Sequence, residues 1–249
     1  IQGGDIMQDS TITAQFGVGS VLSRSFSTLF RNPLVFIGLT LIATLPPHLV
    51  QLAVPAGSPE ALALPAVVAA VLSMIFVFVV QGAIAYAVYQ ELRGKKAGFG
   101  SALSRGLSRV GWLILAAFLV TLGIGIGLVL LVIPGLILMC LWSVTIQACV
   151  VEKLGPLASM GRSAQLTKGY RLPIFGLLLI VGVASAVFNG LASYLGLIFF
   201  GNPLVFALIG GILAALPSAF NNVMAAIIYS DLRAVKEGAT LDSLANVFD

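Results

Sequence analysis

Six apolar stretches separated by connectors of two alternating kinds limit what this chain can fold into more than any other feature. The stretches run from Pro33 to about Leu52, Leu64 to about Tyr89, Trp112 to about Val132, Pro134 to about Val151, Pro173 to about Phe200, and Pro203 to about Tyr229. Each approaches the roughly 20 apolar residues that a bilayer-spanning helix needs. One kind of connector, at Val54–Leu62, Val132–Gly135 and Phe199–Pro203, carries no Lys or Arg. The other kind carries all 13 basic residues: Arg24 and Arg31; Arg93, Lys95, Lys96, Arg105 and Arg109; Lys153, Arg162, Lys168 and Arg171; Arg233 and Lys236. Lys and Arg are retained on the cytoplasmic side of a membrane. The alternation therefore predicts six crossings with both termini cytoplasmic. One wrongly drawn span would break it, so the charges check the segmentation independently.

Composition agrees. Apolar residues make up 59% of the 249 and charged residues 9%, against roughly 25% charged in a soluble domain. Thirteen basic and nine acidic residues cannot cover a water-exposed surface of this size. A soluble enzyme, a disordered chain and a free nucleic-acid binder are excluded as classes. The net charge of +4 then points to anionic lipid headgroups as partner. Cys140 and Cys149 lie nine helical residues apart, about 13 Å, too far for a disulfide. Met7 reads as a natural start, with residues 1–6 an appended remnant, and no cleavable signal peptide is visible.

The basic connectors are amphipathic. Val18, Leu22, Phe26 and Leu29 recur at helical spacing opposite Ser20, Ser23, Arg24, Ser27 and Arg31. Phe99, Leu103, Leu107 and Val110 do the same opposite Ser101, Ser104, Arg105, Ser108 and Arg109. Leu157, Met160 and Ala164 form a weaker stripe opposite Arg162, Gln165 and Lys168. A short helix with one apolar stripe and one basic face is suited to lie in the membrane interface.

These three segments align, with Arg24, Arg105 and Arg162 equivalent. The closing residues align too. Tyr89-Gln90-Glu91-Leu92-Arg93 matches Tyr229-Ser230-Asp231-Leu232-Arg233 at an offset that also pairs Gln81 with Asn221, and Glu152-Lys153 is a shorter version. The expected organisation is an all-α polytopic membrane protein of three parallel helical-hairpin repeats, about 17–93, 98–153 and 155–233, each preceded by a cytoplasmic-side interfacial helix. Residues 17–232 form one membrane domain, between an N-terminal tail (1–16) and a cytoplasmic C-terminal tail (233–249). Because each unit enters and leaves on one side, the repeats are parallel rather than inverted.

Several motifs carry a family resemblance. They are Ile133-Pro134-Gly135-Leu136-Ile137; Val150-Val151-Glu152 followed by Gly155-Pro156-Leu157-Ala158; the run from Arg162 through Gly169; and Tyr229-Ser230-Asp231-Leu232-Arg233 with Lys236-Glu237-Gly238. Over residues 17–245 the chain resembles the YciC-like bacterial inner-membrane proteins and the membrane domain attached to some glycerophosphoryl diester phosphodiesterases. The resemblance implies six spans in the bacterial inner membrane and no particular reaction, the phosphodiesterase chemistry belonging to a separate soluble domain. Members of that family often place an Arg shortly after the Pro-Gly; here the region reads Met139-Cys140-Leu141-Trp142, so no role is carried over from it.

Residues suited to chemistry are few. His48 is the only histidine, beside an expected helix break at Pro46-Pro47, and Glu60 is the only acid on its side; a metal site needs more ligands. No Asp, Glu, Lys or Arg falls deep within a span, which removes proton relays and the acid–base or nucleophile–base pairs of hydrolases. No catalytic, cofactor or metal site is expected. The neutral polar residues Gln81, Gln147, Asn189, Tyr194, Asn221 and Asn222 either tie helices together or line a path; Gln81, Gln147, Asn221 and Asn222 are the candidate polar patch. Gly123, Gly125, Gly127 and Gly210-Gly211 allow close helix approach and lack phosphate-loop spacing. Arg24, Arg105 and Arg162 are candidate contacts for lipid phosphate, or else pair with Glu91, Glu152 and Asp231.

The leading expectation is a non-catalytic membrane protein that binds or moves lipid or a small amphiphile, or maintains the envelope. Membrane lipid, anionic phospholipid included, is its expected partner, and a protein partner or homo-oligomer is compatible. The alternatives are a scaffold or accessory subunit of a membrane complex and a membrane-embedded enzyme acting on lipid.

Overall fold

A computed structural model describes residues 16–53, 59–199 and 203–238. Most of both tails and the centres of the first and last non-basic connectors lie outside these residues, as do the side chains of His48 and Glu60. Every regular element among the described residues is an α-helix. In chain order these are α1 (Val18–Arg31), α2 (Pro33–Ala53), α3 (Pro59–Leu92), α4 (Phe99–Ser108), α5 (Val110–Leu130), α6 (Val132–Leu141), α7 (Thr145–Val151), α8 (Pro156–Leu166), α9 (Arg171–Phe199) and α10 (Pro203–Glu237).

Five stretches are long and apolar enough to cross a membrane: Ala70–Leu92, Val110–Leu130, Val132–Val151, Arg171–Gly196 and Leu208–Glu237. A sixth arises if α1 and α2, bent by 93° at their junction, count as one span. The chain is thus a membrane protein in its helices. Pro33, Pro156 and Pro203 each occupy a first helical position, where the missing N–H has no partner to lose. The break expected at Pro46-Pro47 is absent, and α2 runs on to Ala53.

The centre of the bundle is α10 packed on α2 and α3. Phe36, Leu39, Ile84, Met224 and Ile227 are fully buried there, and Thr44 Oγ1 donates to the Gly211 carbonyl at 3.1 Å across the α2–α10 contact. Lipid is as apolar as these side chains, so their mutual packing gains dispersion rather than water-release free energy. The outermost span is Arg171–Gly196 of α9, 17% of it buried against 50% for Leu208–Glu237.

Close approach is bought with glycine between α5 and α6. A Cβ on Gly123 would lie 2.5 Å from the Trp142 indole, and one on Gly127 would lie 3.0 Å from the Gly135 Cα. Gly125 between them faces open space.

The fourth apolar stretch is not one continuous helix. It breaks at Trp142–Val144, between α6 and α7. A side chain enters the backbone ladder at the break, a recognised cause of helix interruption. Ser163 Oγ of α8 donates to the Leu141 carbonyl at 2.7 Å and accepts from the Val144 N–H at 3.4 Å. Thr167 Oγ1 reaches the same carbonyl at 3.4 Å.

Candidate functional site

Each of the three short helices begins after a glycine in extended conformation: Gly17, Gly98 and Gly155. Each then turns two small or β-branched buried residues, four apart, toward a longer helix. These are Val21 and Ser25 on α1, Ala102 and Gly106 on α4, and Ser159 and Ser163 on α8. The helices they meet are α10, α3 and α7 respectively. The tightest approach is at Gly106, where an added Cβ would fall 2.1 Å from the Val79 carbonyl oxygen.

The expected apolar stripes are divided between protein and surface: Val18, Leu22 and Leu103 pack against the core beside these small residues. Leu29 is buried, but Phe26 and Phe30 are 52% and 63% exposed. On α4 and α8, Leu107 and Leu157 are likewise exposed. Several large apolar side chains on these helices are thus left exposed, while the closest helix contacts are made by small ones.

The arginines are turned to protein groups. Arg24 Nη1 is hydrogen-bonded and ion-paired to Asp231 Oδ1 of α10. Arg162 Nε donates to both carboxylate oxygens of Glu152, at 2.8 and 2.9 Å, and its Nη2 pairs with Glu237. Burial works against the Arg162 charge, but the hydrogen bonds it donates to Glu152 and Glu237 outweigh it and raise the affinity of the guanidinium for its proton. Arg105 lies over the Tyr86 ring of α3, 5.7 Å from its centroid, a cation–π distance. Glu91 is met by Asn32 Nδ2 at 3.1 Å and more distantly by Arg31 at 3.9 Å.

Tyr229 ties these pairs into one layer. Its hydroxyl donates to Glu152 Oε1 at 2.6 Å, and its ring meets that of Tyr89 edge-on at 6.1 Å. The ends of α3, α7 and α10 are thereby held at a common level.

The residues of the polar patch expected from sequence sit on α3 (Gln81), α7 (Gln147) and α10 (Asn221 and Asn222). Asn221 Nδ2 donates to Ser185 Oγ of α9 at 3.0 Å and to the Pro217 carbonyl at 2.8 Å. Asn189 Nδ2 donates to the Ser185 carbonyl at 2.8 Å. Gln147 is buried on α7 with Oε1 unbonded. Gln81 and Asn222 are partly buried on α3 and α10, and Tyr194 is 62% exposed on α9. Among the described residues no three His, Cys, Asp or Glu side chains gather as a metal site.

Sequence reasoning did not find the cleft between α1, α9 and α10. It has a volume of about 300 Å³ and is walled by Phe26 and Phe30 of α1, Ala184 and Phe188 of α9, and Pro217 and Phe220 of α10. Ser185, the acceptor of the Asn221 amide, also lines it. Phe26 meets Phe220 at 4.5 Å and stacks on Phe30 at 6.4 Å. The size is at the lower end of small-molecule pockets, and the lining is almost wholly apolar. Such a lining is complementary to an apolar chain. The available sequence signal was Phe26 and Phe30, one helical turn apart, but which helices they face depends on contacts distant in the chain.

A family model matches the chain. The model of a family described as a domain of unknown function (DUF7847) matches residues 93–232, more than half of the 249 residues. No curated protein and no solved structure matches the chain.

Proposed function

Since the chain belongs to the DUF7847 family, whose description names no activity, its function is read from its own geometry, and we propose that it is a non-catalytic inner-membrane protein that binds lipid or a similar amphiphile. The observation that carries this reading is the apolar cleft of α1, α9 and α10. One of its walls, α1, also carries Arg24 and Arg31, whose side chains are 44% and 58% exposed despite their carboxylate partners. A lipid chain in the cleft would leave its headgroup near the end of the bundle that holds these guanidinium groups, a favourable place for phosphate.

The finer architecture belongs to the same reading. Six spans, with α2 as the first and α1 lying across its end in the interface, account for the 93° bend. Three parallel repeats account for three coincidences of register. The capping glycines fall seven residues before Arg24, Arg105 and Arg162, and the small buried residues fall three before and one after each. Each short helix docks on the closing helix of the preceding unit, α1 on α10, α4 on α3 and α8 on α7. The bacterial inner membrane, cytoplasmic termini and kinship with the YciC-like proteins are proposed on the alternation of basic connectors and on the motifs quoted above.

Native mass spectrometry of the detergent-purified protein with added phosphatidylglycerol tests the lipid reading. Ala184→Phe fills the cleft and is expected to lower the number of retained lipid adducts at least severalfold. Gly190→Phe, on another face of the same helix and in open space, is expected to leave them unchanged. Equal retention by a folded Ala184→Phe protein overturns the proposal.

A further inference from the structure

The second pair of long elements, α5 with α6–α7, is shorter than its neighbours. The contacts of Tyr229 with Tyr89 and Glu152 set a common level from which lengths can be compared. From that level α3 extends about 45 Å from Tyr89 back to Pro59, and α10 about 39 Å from Tyr229 back to Pro203. From Glu152 back to Val132 the chain covers at most about 30 Å, less whatever the break at Trp142–Val144 removes. The turn at Leu131 therefore ends about 9–15 Å below the far ends of α3 and α10.

That turn has nothing polar on it. From Leu122 to Leu141 no side chain carries an oxygen or nitrogen. The corresponding connectors of the other two pairs carry Ser58 and Glu60, or Asn202. Val129, Leu130, Leu131, Val132 and Ile133 are between 63% and 87% exposed, the longest such apolar run among the described residues. Water at this tip would face five bare aliphatic side chains in succession.

We propose that the tip at Val129–Ile133 ends within the hydrocarbon of the far leaflet and draws that leaflet's headgroups toward the midplane, the occupant of its exposed surface being phospholipid acyl chains of a locally thinned bilayer. Lipid meets both demands of the tip. Acyl chains cover the side chains. The lowered headgroups come within reach of the first-turn N–H groups of Val132 and Ile133, which have no side-chain cap and are costly to leave bare in hydrocarbon. Pro134, next in that turn, has no N–H to satisfy, and the Leu131 N–H is bonded to the Gly127 carbonyl at 3.1 Å.

The surface continues down both flanks of the short pair. Thr121, Gly125 and Val129 line a groove against Met74 of α3, and Leu136 and Met139 line another against Phe175 of α9. Bilayers accommodate short hydrophobic elements by local thinning at modest cost. The inference does not depend on the α1–α9–α10 cleft, because the tip belongs to α5 and α6.

Spin labels at single cysteines test it, with Cys140 and Cys149 replaced by alanine and the protein in phosphatidylcholine–phosphatidylglycerol vesicles. Sites 118, 125, 131 and 133 form a depth series. Power-saturation accessibility to oxygen and to a water-soluble nickel chelate is read in lipids of 14 and 18 carbons. At site 131 the expected result in the longer lipid is high oxygen and low nickel accessibility. In the shorter lipid nickel accessibility should rise severalfold. High nickel accessibility at 131 in both lipids means that the tip reaches water, and it overturns the proposal. Protection from both reagents means that a second copy or another protein covers the tip, and it overturns it equally. If labelling at 131 unfolds the protein, sites 125 and 133 give the same depth gradient.

Discussion

Gly106 gives the sharpest test of how the short helices are seated. An alanine Cβ there would lie 2.1 Å from the Val79 carbonyl oxygen and 3.1 Å from the Ala83 nitrogen, both backbone atoms of α3. Neither can rotate away, so α4 must retreat by about 1 Å to reach an ordinary contact distance. Overpacking of this kind costs about 1–3 kcal/mol, and rigid backbone on both sides places Gly106→Ala at the upper end. Gly100 is in the same helix with open space around it. There the same substitution relieves glycine's entropy cost and is expected to stabilise by up to about 1 kcal/mol. The two variants add the same methyl to the same ten-residue helix and should differ in sign. The assay is thermal unfolding in detergent followed by size-exclusion fluorescence. Gly106→Ala is expected to lower the midpoint by about 5–10 °C, and Gly100→Ala to leave it equal or higher. Equal midpoints for both would refute the docking of α4 on α3 at Gly106, and with it the position of Arg105 over Tyr86.

The layer at the ends of α3, α7 and α10 predicts a second effect. Glu152→Gln removes the charge that receives Arg162 and Tyr229, at a cost of about 2 kcal/mol. Tyr229→Phe costs less, and in the double variant the two effects should fall short of adding; full additivity in thermal unfolding would mean that the two side chains do not share the bond described. At the break in the fourth span, Ser163→Ala strips Leu141 and Val144 of their bridging hydroxyl and should cost about 1 kcal/mol. Amide exchange around residues 142–146 should speed up with it, and an unchanged exchange rate there would argue against the bridge.

Five of the six expected spans were readable because hydrophobicity and charge along a membrane chain are nearly one-dimensional. Whether Leu115 or Val183 touches lipid does not affect whether its segment crosses. The same indifference hid what the short helices do. On a water-soluble helix the apolar stripe marks the buried face. Here Phe26, Leu107 and Leu157 suit lipid as well as protein, so periodicity cannot tell the two apart. The faces that dock are marked by size instead, at Ser25, Gly106 and Ser163. That follows from close helix approach being the main gain available in a bilayer.

Partner choice in the charged layer was legible only as a list of candidates. Arginines and carboxylates stood at the right end of the bundle, and which guanidinium meets which carboxylate depended on how the helices close around one another. Arg24 reaches Asp231 across 207 residues of sequence, and Arg162 reaches Glu152 across 10. Arg105 lies over an aromatic ring, and Glu91 is met by Asn32 and Arg31. Gln81 and Asn221 show the same limit. They match at a fixed offset, yet Asn221 is spent on Ser185 of the outermost span, because α9 lies against that side of α10. An offset in sequence fixes the height of a residue along its helix. The neighbour it meets at that height is set by the order of helices around the bundle, and in this chain that order determines which polar groups are sealed off and which surfaces remain for lipid.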